Sequence, residues 1–146
     1  MKTFQAIFVV LATIIASCSA PKKEEPVETM TPAQELEGVW KMNYGKIIYP
    51  DTVVEVTDSR AIKILVDGRF ALGNQDTDST LTAGGGTYEY DGQTYTENIE
   101  YFTLPSLVGQ SVKFDITLED GKWSHSGTIT DDDEDVKLEE VWERVE

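Results

Sequence analysis

Few residues in this chain are able to carry chemistry, and their spacing narrows the choice further. There is one histidine, His125, and one cysteine, Cys18. A nucleophilic hydrolase needs a base beside its nucleophile. His125 could serve a serine in a Ser-His-Asp arrangement, but no nucleophile elbow is present. Two carboxylates, Glu97 and Glu140, are the pair that could run glycoside hydrolysis. A hydrolase built on Glu97 and His125 would need both in one solvent-reachable cleft. Asn74, Asp76 and Asp78 alternate like the start of a calcium loop. Ser79 stands where that loop needs glycine, and Gly85 where it needs a bidentate glutamate. The Asp131–Asp135 run reads as a solvated acidic turn. Gly84-Gly85-Gly86 is followed by neither lysine nor helix, so it is no phosphate loop and reads as a strand entry or bulge. No catalytic residue, metal site or cofactor is assigned on these grounds.

The elements that must position these residues are β-strands. Alternation of β-branched and aromatic residues between Gly, Asp and Asn breaks dominates from Leu36 onward. It predicts strands at Gly38–Tyr44, Thr52–Thr57, Ile62–Val66, Arg69–Leu72, Gly86–Tyr90, Thr94–Leu104, Ser111–Leu118, Lys122–Thr130 and Val136–Val145. Gln34 to Leu36 has room for one helical turn. Many short strands with tight turns imply an antiparallel barrel or sandwich.

Two hairpins can be registered. Around Asp120-Gly121, a two-residue turn pairs Glu119 with Lys122, Leu118 with Trp123, Ile116 with His125 and Phe114 with Gly127. One face is then apolar apart from His125 and Gly127. The other carries Lys113, Asp115, Thr117, Ser124, Ser126 and Thr128. Around Asp91-Gly92 the same logic pairs Tyr90 with Gln93, Tyr88 with Tyr95 and Gly86 with Glu97. The inward face continues through Ile99 and Tyr101. Buried phenols need hydrogen-bond partners, and a buried carboxylate needs one more urgently. The expected partners of Glu97 are Arg144 and His125.

Gly38-x-Trp40 near the start and Arg144 on the last strand, beside Trp142, resemble the lipocalin pattern. There the arginine packs over the tryptophan and closes the barrel. The wider string "LEGVWKM", "IKILVDGRFA", "GGGTYEYDGQTYTENIEYF" and "LEEVWERV" resembles the lipocalin-like domains of small Bacteroidota secreted proteins, families largely without assigned function. The resemblance implies an all-β, antiparallel up-and-down barrel of about eight to ten strands. It implies a placement for Gly38, Trp40, Tyr95, Glu97, Trp142 and Arg144, and no catalytic residue. The chain is shorter than a typical lipocalin, which argues against a deep calyx. The candidate ligand-binding set is Tyr88, Tyr95, Glu97, Tyr101, Trp123, His125 and Arg144. These groups either line a pocket for a small amphipathic molecule or satisfy one another in a filled barrel.

The N-terminus gives a compartment. Met1 to Ser17 reads as an export signal, with Lys2 before a short apolar run. Ile15-Ala16-Ser17-Cys18 resembles the bacterial lipoprotein box, which implies cleavage before Cys18 and its lipidation. Multiple acyl chains on one cysteine would satisfy the need for more than one anchor. Residues 18–35 form the lipidated cysteine and a proline-rich, charged tether, and residues 36–146 the barrel domain. Extended, the tether's Ser19–Pro32 stretch spans about 45 Å at about 3.3 Å per residue. Its Lys22-Lys23-Glu24-Glu25 run resembles export signals of Bacteroidota surface lipoproteins. The expected place is therefore the outer membrane of a bacterial envelope, on a lipid anchor.

Formal net charge is −15, and loss of the leader removes Lys2 alone among charged residues. Such an acidic surface argues against nucleic acid and leaves room for cationic or protein partners. Two functions follow from the whole: a lipid-anchored binding module, or an interaction or inhibitor domain with a filled barrel, using Asp131–Asp135 and the Pro105–Gln110 loop.

Overall fold

The structure, a computed structural model, describes residues 30–75 and 78–145. The export signal, the Cys18 box, the greater part of the tether and Asp76 lie outside these residues. Among the described residues, nine strands run β1 (Gly38–Ile48), β2 (Val53–Val56), β3 (Ile62–Val66), β4 (Arg69–Gln75), β5 (Leu81–Tyr90), β6 (Thr94–Phe102), β7 (Ser111–Glu119), β8 (Lys122–Asp131) and β9 (Glu134–Arg144). Each of β3 to β9 pairs antiparallel with its sequence neighbour, and β1 pairs with both β3 and β9. Eight strands therefore close into an up-and-down, lipocalin-like barrel. β2 is extra: it takes over from β3 along the second half of β1, pairing Val53–Val56 with Gly45–Ile48.

One end of the barrel is plugged. Thr31 to Glu35, placed by sequence at the end of the tether, contribute to a one-turn helix α1 (Pro32–Leu36), with a capping box between Thr31 and Gln34. Leu36 is fully buried, and its carbonyl accepts from Trp40 Nε1 at 2.8 Å. Burying such a leucine stabilises by about 1.5–3 kcal/mol. The Arg144 guanidinium lies 4.3 Å from the Trp40 ring centroid and donates to the carbonyls of Glu35 (2.7 Å) and Glu37. Arg144 thus ties the last strand to the plug, as the Gly-x-Trp and arginine pattern implies. Gly38 is required here twice over. Its φ is +139°, and a Cβ would sit 2.4 Å from the Arg144 guanidinium.

The second hairpin has the expected register from Glu119↔Lys122 to Phe114↔Gly127, with Lys113 and Thr117 exposed. The first hairpin differs by two residues: Tyr90 faces Tyr95 and Tyr88 faces Glu97. The reason is Asp91. Its Oδ1 accepts from the Gln93 and Thr94 amides at 2.9 and 2.8 Å, which stretches the turn to four residues. A slip of two preserves faces, so Tyr88, Tyr95 and Glu97 still point inward.

Tyr101 does not point inward; it is 55% exposed. Gly86 pairs with Ile99 but Gly85 pairs with Tyr101, so Glu100 is an extra residue in β6. This bulge reverses the alternation, sending Tyr101 out and packing Phe102 against the core. The glycine run makes it possible, since a Cβ on Gly86 would lie 1.9 Å from the Asn98 carbonyl oxygen.

Candidate functional site

The interior has two halves. Next to the plug, Trp40, Tyr95, Trp123 and Trp142 are fully or almost fully buried. Trp123 holds the cluster together, with ring centroids 5.6 Å from Trp40, 4.9 Å from Tyr95 and 6.2 Å from Trp142. Edge and stacked contacts of this kind add about 0.5–1.5 kcal/mol each beyond area burial.

Above these rings lies a charged layer. Lys63 Nζ is 2.7 Å from Glu97 Oε1, with only 4% of the lysine side chain exposed. The ammonium also sits 5.5, 5.1 and 4.9 Å from the ring centroids of Tyr95, Trp123 and Trp142. Rings within about 6 Å attract a cation through their quadrupoles. Tyr95 Oη donates to the same Glu97 oxygen at 2.8 Å. Burial, reinforced by the neighbouring Glu97 charge, pushes that phenol well above its ordinary range, so it remains a donor.

The second pair is His125 and Glu140, directly opposite each other on β8 and β9. His125 Nε2 lies 2.7 Å from Glu140 Oε2, and Trp142 Nε1 donates to that oxygen at 2.9 Å. Burial would raise the Glu140 carboxyl, but the hydrogen bond and charge of His125, with Lys63 and Trp142, bring it down to about 2. Glu140 is therefore ionised near neutral pH and can only accept, which makes Nε2 the donor. His125 Nδ1 and Trp123 Nε1 are buried without a hydrogen-bond partner.

Beyond the charged layer the barrel is open. A cavity of about 390 Å³ has apolar walls from Met42, Leu72, Ile99, Val112, Ile129 and Leu138, and a floor that includes Lys63, Glu97, His125, Glu140 and Trp142. Val54 and Val56 of the extra strand and Leu104 and Leu107 of the β6–β7 connection extend the wall toward the mouth. Proteins bind small molecules in spaces of about 300–1,000 Å³ with mostly apolar walls and a few polar groups. The upper barrel is a calyx, where sequence length argued against a deep one.

The candidate residues separate accordingly. Glu97, His125 and Trp142 reach the cavity, and so does Glu140. Tyr95 and Trp123 lie beneath the floor. Tyr88 is buried at the plug, where its hydroxyl donates to the Ala33 carbonyl at 3.2 Å. Its phenol is pushed up to about 12 by burial and then by the Glu37 and Asp67 charges. Tyr101 is outside, and Arg144 is at the plug. The partner of Glu97 is thus Lys63, not Arg144 or His125.

Lys63 escaped the sequence reading because "IKILV" looks as if its isoleucines and valine face inward. The opposite holds, with Ile64 and Val66 exposed and Lys63 and Leu65 buried. A signal was present. Asp67-Gly68 makes a two-residue turn pairing Val66 with Arg69 and Leu65 with Phe70. An outward Arg69 forces Val66 out, hence Leu65 and Lys63 in. Elsewhere, Asp132 and Asp133 form the β8–β9 turn, with φ of +46° and +68°, and Pro105–Leu107 is a 3₁₀ turn. Among the described residues, no three His, Cys, Asp or Glu side chains converge to hold a metal ion.

Comparison with known proteins adds a family but no activity. Residues 35–146 match a family model described as a domain of unknown function (DUF4488). The chain is similar in structure to a lipocalin-like protein from Bacteroides uniformis, with TM-score 0.48 and 18% identity over 76% of this chain and 99% of that one. It is also similar to an uncharacterized protein from Bacteroides eggerthii, with TM-score 0.45 and 12% identity over 75% and 98%. No curated protein matches the chain.

Proposed function

The chain belongs to the DUF4488 family, and we propose that it is a binding module for a small amphipathic molecule, carried on a lipid anchor at the bacterial cell envelope. The observation that carries the binding reading is the calyx of about 390 Å³, with apolar walls over a charged floor. A ligand there would bury its body against Leu72, Ile99, Val112 and Leu138. Its polar end would meet Glu97 and Glu140. Apolar burial contributes about 25 cal/mol per Å², and the polar end fixes orientation. A filled barrel, on which the interaction-domain alternative rests, does not fit an open upper half.

Support for the anchor is the Ile15-Ala16-Ser17-Cys18 order and the tether behind it. The acidic surface fits a module standing clear of anionic headgroups. Native mass spectrometry of protein purified from its own host tests the binding reading. The expected result is a retained small molecule that is lost when Leu72→Trp fills the calyx. A ligand-free spectrum, together with unchanged stability on adding apolar probes, would refute it. The anchor is tested by Cys18→Ala, which should move the protein from the membrane fraction to the soluble one.

A further inference from the structure

The charged floor carries a chemical preference. Each carboxylate takes both of its hydrogen bonds on a single oxygen: Oε1 of Glu97 from Lys63 and Tyr95, and Oε2 of Glu140 from His125 and Trp142. Among the described residues no group donates to Glu97 Oε2 or Glu140 Oε1. The acids are also the more accessible members of their pairs. Side-chain exposure is 10% for Glu97 against 4% for Lys63, and 19% for Glu140 against 0% for His125. Their partners stand behind, Lys63 held among three aromatic rings and His125 stacked on Phe114 at 4.4 Å. What a ligand meets is therefore two carboxylate oxygens with unused lone pairs.

We propose that the calyx selects molecules whose apolar body ends in a hydrogen-bond donor, an amine above all and an alcohol second, and discriminates against carboxylates. This deepens the binding reading above and rests on it. An ammonium or hydroxyl donates to the free oxygens without disturbing either pair. A ligand carboxylate brings a third anion against two, in a site of low dielectric where like charges repel strongly. Lys63 offers it little, since its charge is already matched by Glu97 and only 4% of its side chain is exposed. The net charge of −15 works in the same direction over longer range.

The test uses three probes with one tail: decylamine, decanol and decanoate, each below its micelle concentration, titrated calorimetrically into the purified domain at pH 7. Decylamine should bind at least ten-fold more tightly than decanoate, with decanol between them. Leu72→Trp should weaken decylamine at least ten-fold. Glu140→Gln should remove most of the amine advantage, whereas Asp132→Asn on the outer turn should leave it intact. Should Glu140→Gln not fold, Glu97→Gln and the wild-type probe series still decide. Decanoate binding as tightly as decylamine, with Leu72→Trp abolishing both, would overturn the preference while leaving the calyx as a binding site. Decylamine binding that survives Leu72→Trp, or is lost equally in Asp132→Asn, would overturn it as surface adsorption. No binding by any probe, with no retained molecule in the native protein, would overturn the calyx reading itself.

Discussion

Removing the Lys63 ammonium should expose how the charged floor is balanced. Lys63→Met keeps the length and apolar stem of the side chain and leaves Glu97 with the Tyr95 hydroxyl as its only donor among the described residues. Breaking a buried ion pair from one side costs about 3–5 kcal/mol, because the remaining charge is stranded. Loss of the contacts to Tyr95, Trp123 and Trp142 acts in the same direction. With a urea m-value of about 1–3 kcal/mol/M, the unfolding midpoint should fall by about 1 M or more. Adding Glu97→Gln should recover at least about 2 kcal/mol of that loss, because the stranded charge is gone while the amide oxygen still accepts from Tyr95. Urea unfolding of wild type, both single variants and the double variant measures all of this. A loss below about 1 kcal/mol for Lys63→Met, or a double variant no more stable than it, would refute the reasoning.

Other outcomes follow from the same geometry. Glu140 is held at about 2 against an ordinary 4.5. Its contribution of about 3 kcal/mol, at about 1.4 kcal/mol per pH unit, is present in full above pH 4.5 and is lost as pH falls toward 2. Glu140→Gln should accordingly flatten the stability–pH curve over that window, and an unchanged slope would contradict the pairing with His125. Arg144→Ala removes the stack on Trp40 and two carbonyl contacts and should cost about 1–3 kcal/mol in urea unfolding. The β6 bulge predicts a sharp contrast between neighbours: Tyr101→Ala should change stability by less than about 0.5 kcal/mol, and Ile99→Ala should cost about 2–5 kcal/mol. Equal losses at the two positions would mean that β6 alternates without interruption.

The strands were legible in the sequence because each is a local pattern bounded by residues that cannot continue it. All nine expected strands are present in order. The Asp120-Gly121 hairpin was legible to the register, since a two-residue turn and two matched faces fix one another. The closure by Gly38, Trp40 and Arg144 followed from a resemblance carried by those residues. The Asp91 turn was misread by two residues because its side chain, not only Gly92, sets the loop length, yet the faces survived. Tyr101 was misplaced because a bulge is a relation between two strands and leaves the alternation of either one unchanged. Lys63 was missed for a related reason. Its partner is 34 positions away on β6, and only closure of the sheet brings β3 across from β6, β8 and β9. The cavity itself belongs wholly to the tertiary structure. Whether side chains from eight strands meet in the middle depends on barrel radius, shear and the bulge in β6, quantities that no single segment of the sequence contains.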